Sequence, residues 1–302
     1  IQNILNLKFD FRGNVLLQKV YSFDTQANFD KNKYVSWQEI LNADFTNRGQ
    51  AGSIVRKNFD DKDQLIDVQE IKNAKFDARG NVLEQVIVTK DTDGNVLSKQ
   101  EISNSDYNAR GTPGKTVRKN FDETGALLEI LTVTNSKIDV RGNVLEQTTV
   151  TTDAAGKLVG SQKTVNDGFD SRGNAGHSVR ENFDDKGKLL DVQDITNLKF
   201  DSRGNVLEQV IVSLDDKGVK LGTQKIFNSN FDSRGNAGFS KRENYDEAGG
   251  LVDIQETTSS KFDARGNVLE QVIVTKDAEG VLIGSTKVIN ADFTPRGVAK
   301  SV

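Results

Sequence analysis

Residues 197–212 read NLKFDSRGNVLEQVIV, and near copies stand at 73–88 (NAKFDARGNVLEQVIV) and at 259–274 (SSKFDARGNVLEQVIV). Within this line Asp201-Ser202-Arg203-Gly204 has the chemistry of a reversal. A short acidic side chain accepts hydrogen bonds from amides just ahead of it, and glycine supplies the positive φ that closes a type I turn with a bulge. Val206, Leu207, Val210, Ile211 and Val212 then form a β-branched and apolar run, so the stretch reads as strand end, turn and next strand.

The same turn recurs at one phase along the chain. Arg-Gly pairs begin at Arg12, Arg48, Arg79, Arg110, Arg141, Arg172, Arg203, Arg234, Arg265 and Arg296; every interval after the first is 31 residues, and the first is 36. Three residues before the turn aromatic, or before Ile138 in one unit, stands Asn6, Asn42, Asn73, Asn104, Asn135, Asn166, Asn197, Asn228 or Asn290, with Ser259 the exception. A second turn, Asp-x-x-Gly, runs in step from Asp91, Asp122, Asp153, Asp184, Asp215, Asp246 and Asp277. Gly-Asn-Val-Leu-Glu-Gln follows Arg79, Arg141, Arg203 and Arg265, whereas Gly-Asn-Ala-Gly follows Arg172 and Arg234, so the true repeat is 62 residues.

No segment shows helical spacing, and Pro113 and Pro295 both lie beside Arg-Gly turns, clear of strand interiors. The expected fold is all-β: about twenty strands in two-strand units of 31 residues. Two architectures satisfy the period, an antiparallel hairpin meander and a parallel β-solenoid. Hairpin-type turns favour the meander, as does the alternation of the apolar strand at 206–212 with the polar Ser178, Arg180, Glu181 and Asn182. Residues 1–47 form an irregular repeat bearing an insertion, and residues 48–302 form the regular array. Val206 and Val210 lie on one face of their strand, Leu207 and Ile211 on the other. That pattern calls for cover on both sides, from the sheet rolling over itself or from neighbouring copies.

Hydrophobic residues make up 35% of the chain and charged residues 28%, which suits a thin core. Forty basic against forty-four acidic side chains, mixed throughout and netting −4, give no basic face for nucleic acid or anionic lipid. Cysteine is absent, and no apolar run is long enough to span a membrane. A chain opening at Ile1 without a signal-like segment reads as a processed piece of something longer.

At Phe183-Asp184-Asp185-Lys186-Gly187-Lys188-Leu189 and Tyr245-Asp246-Glu247-Ala248-Gly249-Gly250-Leu251 the chain resembles the YD-repeat, or RHS-like, family. The resemblance implies extended sheets of hairpins that can wind into shells around toxin cargo, and related arrays on cell-surface and secreted proteins.

Candidate sites are few. The turn sets Asp77, Arg79, Gly80; Asp139, Arg141, Gly142; Asp201, Arg203, Gly204; and Asp263, Arg265, Gly266 read as structural, with each Asp and Arg forming a local ion pair. Asp91 with Asp93, Asp184 with Asp185 and Asp215 with Asp216 offer clustered oxygens for calcium, short of the ligand count of a calcium loop. His177, the only histidine, replaces Ser53, Lys115 and Phe239 of sister repeats and reads as an exposed strand residue without a partner. Phe23, Phe29, Tyr34 and Trp37 lie in the one irregular stretch and suggest a capping segment, or an aromatic platform for carbohydrate. The function expected is that of a non-catalytic structural segment of an extracellular or cell-surface protein, without cofactor, associating with further repeats or with copies of itself. The alternatives are a cargo-enclosing shell and a calcium- or carbohydrate-binding module; a protein ligand stays open.

Overall fold

The computed structural model describes residues 2–23, 26–34, 36–232, 235–262, 267–293 and 299–301. The strands are β1 (Gln2–Phe9), β2 (Val15–Ser22), β3 (Ser36–Ala43), β4 (Ser53–Asp60), β5 (Leu65–Phe76), β6 (Val82–Lys90), β7 (Val96–Ser105), β8 (Lys115–Phe121), β9 (Leu127–Ile138) and β10 (Val144–Asp153). They continue as β11 (Leu158–Asp167), β12 (His177–Phe183), β13 (Leu189–Phe200), β14 (Val206–Asp215), β15 (Lys220–Phe231), β16 (Ala237–Tyr245), β17 (Leu251–Phe262), β18 (Val268–Asp277) and β19 (Leu282–Ile289). A short helix, α1 (Gln26–Asp30), joins β2 to β3, and β20 (Ala291–Phe293) pairs separately with β21 (Ala299–Ser301).

Strands β1 to β19 form one sheet in which each pairs antiparallel with its neighbours in sequence. The architecture is therefore the meander. Pairing crosses the 47/48 boundary through Ser36–Ala43 and Ser53–Asp60. At ~4.8 Å per strand the sheet measures roughly 90 Å across its strands. All Arg-Gly turns among the described residues join an odd strand to the following even one, and the Asp-x-x-Gly turns join even to odd. The two kinds of turn consequently line opposite edges.

The opening stretch behaves as its residues dictate. Asp201 Oδ1 accepts from the amides of Arg203 and Asn205 at 2.8 and 2.9 Å, and its Oδ2 accepts from Asn205 Nδ2 at 2.8 Å. The Gly204 amide reaches the Asp201 carbonyl at 3.1 Å with φ at 91°. Between Asn197 and Phe200 the register of β13 on β14 shifts around Leu198, a bulge that adds twist.

The asparagine series spans three strands. Asn135 Nδ2 in β9 donates to the Pro113 carbonyl just before β8, at 2.9 Å, while its Oδ1 accepts from Gln147 Nε2 of β10 at 2.8 Å. Asn73 and Asn197 make the same two bonds with Ala51 and Gln85, and with Ala175 and Gln209. Asn135→Ala is expected to cost about 1–2 kcal/mol in a denaturant melt, because it strands a half-buried carbonyl and an amide together.

Of the two kinds of cover the sequence leaves open, the sheet rolled over itself does not form among the described residues. Each strand of the sheet packs against its immediate neighbours, and no second layer lies on either face among the described residues. Val20, Phe23, Ile71 and Ile195 are the only buried apolar side chains described. The buried polar group in this single layer is hydrogen-bonded: Asp67, 1% exposed, accepts from Asn58 Nδ2 at 2.5 Å on the same face as Ile71.

Candidate functional site

The repeated polar groups fall on the two long edges of the sheet. On the Arg-Gly edge, Asp77–Arg79, Asp139–Arg141 and Asp201–Arg203 form the anticipated ion pairs, at 3.8, 3.7 and 3.6 Å. The guanidinium groups also reach forward to the next turn along the edge. Arg79 donates to the carbonyls of Asn108 and Tyr107, both at 2.9 Å, and Arg203 donates to those of Asp232 and Phe231 at 2.7 and 3.2 Å. Arg110, Arg141 and Arg172 reach Val140, Asp170 and Ser202 in the same way. Planar guanidinium groups with several donors suit this clamping of successive carbonyls. Sequence reasoning stopped at the local pair; the 31-residue phase of the arginines was the signal for the longer reach. Asp263, Arg265 and Gly266 lie outside the described residues.

Turns on this edge touch. A methyl group built on Gly173 would stand 2.8 Å from Asn143 Oδ1, and one on Gly235 would stand 2.6 Å from Asn205 Oδ1. On the opposite edge, nothing lies within 4 Å of the same position at Gly156, Gly187 or Gly218. The Arg-Gly edge is tied turn to turn by its arginines, and the other edge is linked more loosely, through the Lys157–Asp185 and Lys188–Asp216 ion pairs.

The calcium candidates sit on the more loosely linked edge. Asp91 Oδ1 accepts from the amides of Asp93 and Asn95, and its Oδ2 accepts from Asn95 Nδ2 at 2.9 Å. Asp184 and Asp215 likewise accept two backbone amides each. Asp185 pairs with Lys157 at 3.7 Å and Asp216 with Lys188 at 3.2 Å, while Asp93 is exposed. The structure brings no third carboxylate or imidazole to any of these pairs among the described residues. The Asn81 and Asn95 side-chain amides are the largest causes holding Asp77 and Asp91 below the usual carboxylate range. For Asp184 and Asp215 the largest causes are the amides of Lys188 and Val219. At Asp139 and Asp201 partial desolvation is the largest single influence and acts upward, yet the bonds from Asn143 and Asn205 and the neighbouring arginines together hold the carboxyls low.

His177 departs from its expected solitude. It stands half-buried between two strands, Nδ1 3.1 Å from Asp167 of β11 and Nε2 2.9 Å from Asp194 of β13. Asp167 first and then Asp194 push its pKa up, with burial opposing them. A raised value means that this cluster stabilises the fold fully below about pH 6.5 and that the contribution fades as pH rises through the folded-state pKa. The melting temperature of the native chain should fall as pH rises above about 6.5, with that fall absent from His177→Gln.

The irregular stretch forms an aromatic cluster at the β2–β3 connection. Trp37 stacks on Phe59 at 4.0 Å with planes 4° apart, Lys19 Nζ lies 4.6 Å above the Trp37 ring, and Tyr21 and Tyr34 close the side. Phe23, 1% exposed, meets Phe29 edge-on at 5.1 Å. Tyr34 Oη and Trp37 Nε1 both donate to Asp63 Oδ1, at 2.7 and 2.8 Å, and the Asp63 bond leads the causes raising Tyr34 to about 12. The rings are largely engaged with one another.

No family model matches the chain, and no curated protein matches it. Among solved structures the chain is similar to TcdB2-TccC3 without its hypervariable C-terminal region, at 13% identity over 96% of this chain and 19% of that one, TM-score 0.19. It is similar also to TcdB2-TccC3, at 12% identity over 98% and 20%, TM-score 0.19. A third similarity is to a Tc holotoxin pore of Photorhabdus luminescens carrying a TccC3 mutation, at 12% identity over 98% and 20%, TM-score 0.20. The chain spans about a fifth of the length of the chains it matches. The fold assignment here rests on the strand pairings themselves. No described helix is long and apolar enough to cross a membrane.

Proposed function

We propose that the chain is a structural, non-catalytic repeat segment of an extracellular or cell-surface protein, and that it associates edge to edge with further repeats or with other copies. The observation that carries this reading is the pair of outermost strands. β1 exposes Ile4, Leu7 and Phe9 at 54, 50 and 54%, and β19 exposes Leu282, Ile283 and Ile289 at 60, 64 and 58%, each strand with one edge unpaired in the described sheet. Unpaired apolar edges are templates for another strand. The polar groups of the turns support the same reading, since their hydrogen-bonding capacity goes largely into closing their own turns and, for the arginines, into holding the next one.

A second reading, the wall of a shell such as RHS-like proteins build, is favoured by the unequal edges. A large open sheet twists, and tighter ties along one edge than along the other favour bending, which is the curvature that enclosure needs. Light scattering across a concentration series, with negative-stain imaging, tests both. Growth in mass with concentration and elongated particles are expected for the first reading, and curved or closed particles for the second. A strictly monomeric, flat ribbon at high concentration would remove the support for both.

A further inference from the structure

Strands β3, β7, β11, β15 and β19 occupy one place in the super-repeat, fixed by Asn42, Asn104, Asn166, Asn228 and Asn290, and they fall into two classes. β3 and β7 carry Ser36 with Glu39 and Ser98 with Glu101, whereas β11 and β15 carry Gly160 with Lys163 and Gly222 with Lys225. The strand that covers each one answers this difference. Glu39 and Glu101 stand opposite Lys57 and Lys119, and Lys163 and Lys225 stand opposite Glu181 and Glu243. Opposite charges directly across a ladder stabilise it, and like charges there do the reverse.

The glycines are a second mark of the covering strand. A methyl group built on Gly160 would stand 3.0 Å from the Phe183 carbonyl oxygen, and one on Gly222 would stand 2.7 Å from that of Tyr245. Both oxygens belong to the aromatic end of the covering strand, β12 or β16. Glycine at this point makes room for a neighbouring main chain.

β19 belongs to the second class. Its Gly284-Ser285-Thr286-Lys287 matches Gly160-Ser161-Gln162-Lys163 of β11 and Gly222-Thr223-Gln224-Lys225 of β15. Nothing lies within 4 Å of the point where Gly284 would carry a methyl group, and the exposed Lys287 pairs backward with Glu270 of β18 at 2.9 Å. The outward edge of β19 thus bears both marks of a covering strand, and none pairs with it in the described sheet.

We propose that the free edge of β19 receives a strand of a further repeat bearing Arg-Glu-Asn-Phe or Arg-Glu-Asn-Tyr, paired antiparallel, with its glutamate opposite Lys287 and the carbonyl of its aromatic residue against Gly284. This rests on the edge association already proposed and selects between its two occupants. β1 of a second copy, Gln2–Phe9, contains no acidic residue and so does not answer Lys287. Main-chain hydrogen bonds give an added strand its affinity, and the charge pair fixes its register.

Two segments of the chain supply matched probes: residues 179–184 read VRENFD and residues 117–122 read VRKNFD. Each is made as a capped hexapeptide and titrated calorimetrically into the full chain. The glutamate peptide is expected to bind saturably and the lysine peptide at least about tenfold more weakly, with Lys287→Glu reversing the order. On its other side the exchanged residue faces Val68, Ile130, Val192 or Ile254, so a peptide lying on β1 does not report its charge. Gly284→Ala should leave the melt of the chain nearly unchanged and weaken the glutamate peptide at least about tenfold. Equal binding of the two peptides, an order unchanged in Lys287→Glu, undiminished binding to Gly284→Ala, or no binding at millimolar concentration would overturn the proposal. A chain that is monomeric by light scattering and still binds the glutamate peptide would uphold it and remove the association of copies; preference for a peptide of residues 2–9 would do the reverse.

Discussion

Gly176→Ala is expected to lower stability by about 2–4 kcal/mol, although Gly176 has ordinary backbone angles and lies in a loop. Its added methyl would stand 2.7 Å from the Gly168 carbonyl oxygen, which is backbone and has no rotamer to yield. The Gly176 amide donates to that same carbonyl at 3.2 Å, and the Gly176 carbonyl accepts from the Asn197 amide at 2.7 Å, so displacement loosens the β12–β13 junction as well. Gly52, Gly114 and Gly238 meet backbone oxygens of Asp44, Asp106 and Asn230 at 2.7, 2.9 and 2.7 Å, and the result should repeat at each. Gly284→Ala, with nothing within 4 Å, is the control and should change stability by no more than about 1 kcal/mol in urea melts.

Acid should unfold the array over a narrow range, with the steepest loss of stability between about pH 4 and pH 2. Nine turn aspartates, Asp10, Asp77, Asp91, Asp122, Asp139, Asp170, Asp184, Asp201 and Asp215, have carboxyls held below their ordinary 3.8. Asp170 reaches about 2, chiefly through the backbone and side-chain bonds from Asn174, and Glu270 reaches about 2 between Lys261 and Lys287. A depressed folded-state value means the stabilisation is whole above the unfolded-state value and disappears as pH falls through the folded one. The slope of unfolding free energy against pH then counts protons taken up on unfolding. It should be positive in this window, and Asp170→Asn should reduce it; a slope near zero would show that the turn carboxylates do not hold the fold.

The meander was legible because Asp-x-x-Gly and Asp-x-Arg-Gly are local devices, complete within five residues. Asn205, for example, closes its own turn onto Asp201 without help from another strand. What stayed hidden depends on register. The two bonds of Asn135 run to residues 22 back and 12 ahead, and His177 meets Asp167 and Asp194 only because three strands align. The second glycine of Gly-Asn-Ala-Gly looked like a sequence variant; the close approach of a loop carbonyl makes it a steric requirement. The arginines were visible as a ladder, yet their targets are main-chain oxygens, which carry no mark in a sequence.

Each strand hydrogen-bonds only to its neighbours in the chain, and each clamp on the Arg-Gly edge reaches one turn ahead. The entropy of closing the next hairpin is therefore set by a loop of fixed size, however many hairpins precede it. Array length is consequently a free parameter of this design. A 62-residue super-repeat can be duplicated or deleted in frame with its ring, its asparagines and its clamps, and every surviving interface stays the one it was.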